Sequence, residues 1–462
     1  MTAQPLKAKT NQITDRSARK LFSIFAAVSI FLGLGELAQS QVVAPPPTPT
    51  PSFEEFAKTF CHNPNGAAVG AALDSAATDP RMEAVHDSKG RPVIFLLETK
   101  MKALPDELCD LLDDRIPAEE FTSIFTLGFS TANIQTDNLS RRLLAIRDYS
   151  SGFSTTGFTI DSGVRESSIG LAGPTGPEGK SGPPVVQPAP QNRWGFFVTG
   201  IGEFTKVDDT SVARGFYLPT GGVIFGADYL VSPHFAIGLT GGYSHTNGDL
   251  LYSSLDVDSG TIGAYATAFG GGFYVNAAVT GVFNGYETQR DALLGTASGD
   301  TNGRNFNALV ATGYEWRSGG LTIGPTFSYQ YTYVELDGFT EHGSLLPLTF
   351  PDQNANSNRT ALGAKISYDW HVGHAVVRPE FRAAWQHEFG DTEDSIVASF
   401  ANGAGNSFTV NGPAIGRDSL LIGAGAAVIF NDRVSVYAYY DGELARTNYS
   451  SNNVSAGLRV SF

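Results

Sequence analysis

The second half of the chain alternates. Reading back from the C-terminus, Val460, Leu458, Ala456 and Val454 are separated by Ser461, Arg459, Gly457 and Ser455. That is the period-2 pattern of a strand with one apolar and one polar face. The same pattern recurs from Trp194 to Phe462 with no helical interval, in twelve segments such as "WGFFVTGIGEF", "HFAIGLTGGYSH", "GFYVNAAVTGVF" and "LTIGPTFSYQYTYV". Each has an apolar core of roughly ten residues, the length with which a tilted strand crosses a bilayer. Connections after strands 2, 4, 6, 8 and 10 are tiny ("SP", "GG", "RSGG", "HVGH", "ND"), and those after strands 1, 3, 5, 7 and 9 are expected to be long. Charges keep to one parity: Arg378, Glu380 and Arg382 alternate with Val377, Phe381, Ala383 and Trp385, and Lys365 and Asp369 with Leu362, Ile366, Tyr368 and Trp370. A charge facing lipid near the midplane costs about 2–4 kcal/mol, so this segregation implies a polar lumen and a lipid-facing exterior. The fold class predicted is an all-β transmembrane barrel of about twelve antiparallel strands. Hydrocarbon offers no partner to a free peptide group, so the last strand must pair with the first. Pro325 and Pro379 fall inside strands, where bulges are expected to accommodate them.

The first half reads differently. Residues 1–40 have a basic start (Lys7, Lys9, Arg16, Arg19, Lys20), the apolar run "LFSIFAAVSIFLGLG", and small residues Ala38 and Ser40. This predicts a secretory signal peptide, the alternative being an uncleaved anchor. Residues 41–52 are a Pro-rich spacer. Residues 53–148 read as a small helical region. "NPNGAAVGAALDSA" opens with Asn63 and Pro64, and "RPVIFLLETKMKALPDELCDLLDD" is a short buried segment followed by a helix. "IPAEEFTSIFTLGFSTANIQTDNLSRRLLAIRD" carries Glu119 and Glu120 at its start and Arg141, Arg142 and Arg147 near its end, where the helix dipole favours them. Residues 149–193 form a Gly/Pro-rich linker, and the barrel occupies 194–462.

Composition narrows the function. Only 17% of residues are charged and the net charge is −15, which argues against nucleic-acid binding. Export brings an oxidising compartment, so the two cysteines, Cys61 and Cys109, are expected to form a disulfide worth about 4 kcal/mol; two separate thiols are the alternative. No catalytic group is expected. Ser419 in "GRDSLLIG" begins a strand and lacks the strand–turn–helix setting of a nucleophile elbow. His371 and His374 have no third ligand nearby in sequence. His342, His387, Glu388 and Asp391 fall near the loops with nothing to fix their geometry. No metal and no cofactor is expected.

Residues 194–462 resemble the β-domain of autotransporters, the self-exporting outer-membrane proteins of Gram-negative bacteria. The likeness rests on "WGFFVTGIGEF", "TGGVIFGADYLVSPHFAIGLTGGYSHT", "DGFTEHGSL", "RPEFRAAWQHEFGD", "YYDGELARTNYSSNNVSAGLRVSF" and the terminal phenylalanine. "LGFSTANIQTDNLSRRLLAIRD" is similar to a pre-barrel segment of some members. The resemblance implies Sec-dependent export, outer-membrane lipid as surroundings, and insertion by the β-barrel assembly machinery as a monomeric barrel. Phe462, Val460 and Leu458 would be the residues that this machinery recognises. It also implies export of the N-terminal region. Two departures stand out: the region before the barrel is short, and the stretch just before strand 1 is Gly/Pro-rich where many relatives thread a helix. Two functions follow, both non-enzymatic, beside a third in which the outer loops carry an enzyme's site. Either the barrel translocates or displays the short N-terminal region, or it is a structural barrel or small channel whose N-terminal region stays periplasmic.

Overall fold

A computed structural model describes residues 51–61, 63–150, 193–430 and 434–461. The expected signal peptide, most of the Pro-rich spacer and of the 149–193 linker, and Phe462 lie outside these residues.

Twelve strands form the wall. They are β1 (Trp194–Val207), β2 (Phe216–Ser232), β3 (Phe235–Asp249), β4 (Ser253–Gly270), β5 (Phe273–Ala292) and β6 (Gly295–Tyr314, continued by Trp316–Ser318). The circuit continues with β7 (Leu321–Leu336), β8 (Gln353–Tyr368, continued by Trp370–Val372), β9 (Ala375–Glu388), β10 (Asp418–Phe430), β11 (Val434–Arg446) and β12 (Tyr449–Ser461). Each pairs antiparallel with its neighbours in sequence. β12 also pairs with β1 in unbroken register from Gly195↔Ser461 to Val207↔Tyr449, so the barrel is closed. The closing strand carries two of the residues expected to mark the C-terminus: Leu458 lies opposite Val198 and Val460 opposite Phe196.

The predicted parity is realised. Leu362, Ile366, Tyr368, Trp370, Phe381 and Trp385 point outward and are 40–62% exposed, whereas Arg378 and Glu380 are buried inside. Aromatic side chains gather at the turn end of the wall, where Trp194 lies against Tyr229 and Tyr314 against both Phe273 and Trp316. Such girdles sit at membrane–water boundaries.

Two expectations need correction. Connections after β3 and β5 are not long: residues 250–252 and 293–294 are all that remain, because β5 and β6 stay paired as far as Ala292↔Gly295. The apolar belt sets how much strand lies in lipid, but nothing stops backbone pairing from continuing into water. The prolines, moreover, produce no bulge. The β6–β7 ladder lapses between Gly313↔Thr326 and Trp316↔Ile323, and the β8–β9 ladder between Ser367↔Glu380 and Trp370↔Val377, with register preserved across both gaps. Pro325 and Pro379 have no N–H to give, so the ladder simply skips them. The same register places Tyr314 opposite Pro325 and Tyr368 opposite Pro379, while on the far side of each strand pairing continues, with Glu315 and Asp369 donating their N–H groups to the Gly272 and Gly320 carbonyls, both at 2.8 Å.

Upstream of the wall come α1 (Phe53–Phe60), α2 (Pro64–Ala76), α3 (Pro80–Glu83), α4 (Val93–Ala103) and α5 (Pro105–Asp110). The expected short buried segment is thus the helix α4, which buries Val93, Leu97 and Met101. Local chemistry explains the starts. Ser52 and Asn63 accept the N–H groups of Glu55 and Asn65, and Pro64 occupies the first turn of α2. Cys61 and Cys109 form a disulfide. A 3-10 turn, Glu119–Thr122, leads into α6 (Ser123–Ser150). Among the described residues no helix is long and apolar enough to cross a membrane.

These helices sit at the loop end of the barrel. Asp110 accepts from Tyr252 between β3 and β4, and Asp114 pairs with Arg214 between β1 and β2. Outside the belt, a polar surface is tolerated; inside it, a charge is not. Ile262, in the middle of β4 and 62% exposed, is therefore expected to reject arginine by about 2–4 kcal/mol. Ile262→Arg should reduce the fraction of protein that migrates as a compact, heat-modifiable barrel. Asp258→Arg, nearer the loop end, should not.

Candidate functional site

The lumen is occupied by α6. Its 28 residues span about 42 Å at 1.5 Å per residue, more than the hydrocarbon thickness. Phe125 and Phe129 near its start belong to the apolar cluster at the loop end, whereas Arg147 near its finish reaches Glu315 and Asn276 beside the turns. The helix therefore descends from the loops to the turns, the end at which β1 begins. The helix that fills the lumen ends at Ser150, well upstream of the start of β1 at Trp194.

One side of α6 is apolar and rests on one side of the wall. Ile134, Leu139, Leu143 and Ile146 pack with Phe197, Ile224, Leu230, Tyr265 and Leu309. Gly128 permits close approach, since a Cβ there would lie 2.6 Å from Val334. The opposite side is charged and borders a cavity of roughly 170 Å³ towards β7–β11, lined among others by Asp137, Arg141, Lys365, Arg382 and Glu443.

Arginines anchor the lower half of the helix. Arg142 holds Asp228 of β2 in a bidentate pair, 2.6 and 2.8 Å, and Tyr265 donates to the same carboxylate at 2.9 Å. Gly195 makes room for this pair, because a Cβ there would sit 2.1 Å from the guanidinium. Arg141 pairs with Asp441 of β11, donates to Ser455 of β12, and lies over the Tyr439 ring. Arg147 binds Glu315, which Arg317 and Lys365 also approach, and stacks 3.8 Å from the centre of Tyr274. Asp137 returns the favour with Arg382 of β9 at 2.8 Å. Higher up, Ser130 donates to Glu203 of β1 and Gln135 to Thr261 of β4. The contacts surround the helix. Removing one partner of a buried pair strands the other charge at a cost of about 3–5 kcal/mol, so these pairs act as latches.

At the mouth, buried carboxyls titrate abnormally. Burial raises Glu119 to about 7, with the nearby Asp114 adding to it, although the Arg214 N–H, Asn65 and Asn63 donate to its carboxylate. Burial likewise raises Glu120 to about 8, against the attraction of Arg290 and with the help of Glu119 and Glu341.

The residues singled out in the sequence are dispersed. Ser419 faces inward and its hydroxyl accepts from Gln386. His371 and His374 are exposed at the β8–β9 turn. His342 bonds through its backbone to Ser298, His387 contacts Asp418, and Glu388 is committed to Arg359 and Ser357. Asp391 is exposed in the β9–β10 loop. Among the described residues no cluster of His, Cys, Asp or Glu is arranged to hold a metal. Asp228, Asp441 and Glu315 are the residues that sequence reasoning missed; their inward parity was a signal, but not of their partners.

A carboxyl with a raised pKa in the folded state binds extra protons there. Glu119 and Glu120 thus favour the packed mouth below about pH 5, and that contribution is lost as pH rises through 7–8. Protease resistance of residues 53–122 in the purified protein should be greater at pH 6 than at pH 8. A resistance that rises with pH over this range would contradict the assignment.

The chain is similar to several known proteins. Over 267 residues the chain is 25% identical to an extracellular serine protease of Serratia marcescens, a match covering 57% of this chain but 25% of that protein. It is 26% identical over 243 residues to esterase EstA of Pseudomonas aeruginosa, covering 48% of this chain and 35% of the esterase. Among solved structures, the translocator domain of NalP from Neisseria meningitidis aligns with a TM-score of 0.48 at 15% identity, covering 58% of this chain and 88% of that one. The beta domain of a Bordetella autotransporter aligns at 0.44 and 16%, covering 59% of this chain and 100% of that one. The family model described as the autotransporter beta-domain matches residues 196–441, running from the first strand into the eleventh. That span is more than half of the 462 residues, and the closed outer-membrane barrel belongs to a member of the autotransporter beta-domain family.

Proposed function

We propose that the barrel conveys its N-terminal helical region to the cell surface and holds it there, with α6 remaining in the lumen as the connection and plug. One observation carries this reading. The helical region lies at the loop end while β1 starts at the turn end, and α6 joins the two levels through the barrel interior. A barrel of this family, with its short turns in the periplasm, would then present α1–α5 outside. The alternative of a periplasmic N-terminal region needs the turns outside instead. An open channel is disfavoured too, because the apolar and charged contacts of α6 fill the lumen. The Serratia and Pseudomonas relatives are named for a protease and an esterase, but the matches cover 25% and 35% of their lengths, so no such activity is proposed for this chain.

Assembly fits the same reading. Phe462, Val460 and Leu458 would present the terminal strand to the β-barrel assembly machinery after Sec export. Deleting Phe462 should lower the amount of heat-modifiable protein in the outer membrane, and unchanged levels would remove the tag from the proposal.

An epitope inserted at Gly90 tests the topology. Gly90 lies in an exposed turn between α3 and α4 and has open space around it. Antibody should label intact cells, and external protease should remove the signal. Labelling only after permeabilisation would favour the periplasmic alternative.

A further inference from the structure

Two of the loops carry a small sheet of their own. The β7–β8 loop contributes strands Phe339–Thr340 and Leu348–Phe350, and the β9–β10 loop contributes Ser395–Phe400 and Phe408–Asn411. They line up as one four-stranded sheet through Phe350↔Phe339, Leu348↔Phe400 and Ile396↔Val410. Strands of two to six residues are too short to stand alone. Yet Phe339, Leu348, Phe350, Ile396, Ala398, Phe400, Phe408 and Val410 are all buried, which surface loops ordinarily do not achieve.

What buries them is the N-terminal helical unit. Phe121 meets Phe339 and Phe350 edge-on, with ring centres 5.6 and 5.0 Å apart. Val69, Ala72, Leu73 and Ala76 of α2 share one continuous core with Phe400, Phe408 and Val410. Gly405 comes so close that a Cβ would stand 2.8 Å from the Ala72 carbonyl. Polar groups are matched as tightly. The fully buried Asn65 side chain donates to the Asn411 carbonyl at 2.8 Å and accepts the Asn411 N–H at 2.9 Å, so it completes the edge of the loop sheet as a neighbouring strand would. Arg290 of β5 is buried between Glu120 of the helical unit and Glu341 of the loop, and donates to the Arg115 carbonyl.

Neither half can satisfy itself. Without the loops, α2, Phe121 and Asn65 would face water across an apolar surface; without the helices, so would one face of a minimal sheet. We infer that residues 53–122 and the loop sheet are the two halves of a single composite domain, and that the barrel's own loops template the fold of the N-terminal unit and retain it. The surface module is then a fixed part of the barrel, not an independent passenger. The inference rests on the proposed display only for where this folding happens; the packing itself is testable in detergent whichever side the unit occupies.

Hydrogen–deuterium exchange on the full-length protein in detergent micelles reads the coupling directly. Phe400→Ala cuts the loop half and Leu73→Ala the helical half; both side chains are buried and lie outside the barrel strands. Each variant should speed exchange at least tenfold in the half it does not touch: α2 for Phe400→Ala, and strands 348–350 and 395–400 for Leu73→Ala. Exchange in β12 should stay as in the wild type. Acceleration confined to the mutated half would overturn the inference, and so would loss of the heat-modifiable barrel, since neither side chain is assigned to the wall. Surface labelling at Gly90 can fail without altering either result.

Discussion

Lipid gives a peptide group nothing to bond to. Every N–H and C=O within the belt must find its partner in the protein, and β1 meets β12 for that reason. Closure has a second consequence. It encloses a space too wide for the wall's own side chains, and α6 fills it. The lumen-facing charges are then neither waste nor accident: Asp228, Asp441 and Glu315 wait in the wall, and Arg142, Arg141 and Arg147 arrive on the helix.

The outward and inward faces follow different rules, and the sequence shows one better than the other. Parity is a local signal, so Arg378, Glu380, Phe381 and Trp385 reveal the two sides of β9 from a handful of neighbouring letters. Partnership is not local. Arg142 and Asp228 lie 86 residues apart, and Arg147 and Glu315 lie 168 apart. An amphipathic helix with arginines near its end looks the same whether it packs on a soluble neighbour or inside a pore. Its place in the lumen was therefore hidden, while its existence was plain. The loops were misjudged for a related reason: Gly, Ser, Thr and Asn keep alternating beyond the apolar belt, and strands such as β5 and β6 extend through residues that resemble loop. At Pro325 and Pro379 the missing N–H was legible, but not that the ladder would lapse there with its register kept, because register is held by the pairs on either side of each gap.

The upper part of the molecule inverts the usual relation between wall and loops. Loops commonly vary freely around a rigid wall. Here two of them supply half of a core, and the chain segment that crosses the lumen supplies the other half. The same crossing explains both the plug and the cap: one helix seals the pore and delivers the elements that cover its mouth. The buried Arg290–Glu341 ion pair, with Arg290 also donating to the Arg115 carbonyl, fixes how the two halves meet, since burying either charge without the other is costly.

Plug, cap and latches all require α6 to lie inside the wall with its start toward the loops. Ser130 and Thr205 place their hydroxyl oxygens 2.8 Å apart near the loop end, so Ser130→Cys with Thr205→Cys should oxidise to a disulfide between helix and wall, found by peptide mass mapping of protein taken from native membranes. Ser130→Cys with Tyr274→Cys, at the turn end, should give none. A heat-modifiable barrel in which the first pair stays reduced, or in which the second pair links, would contradict that placement.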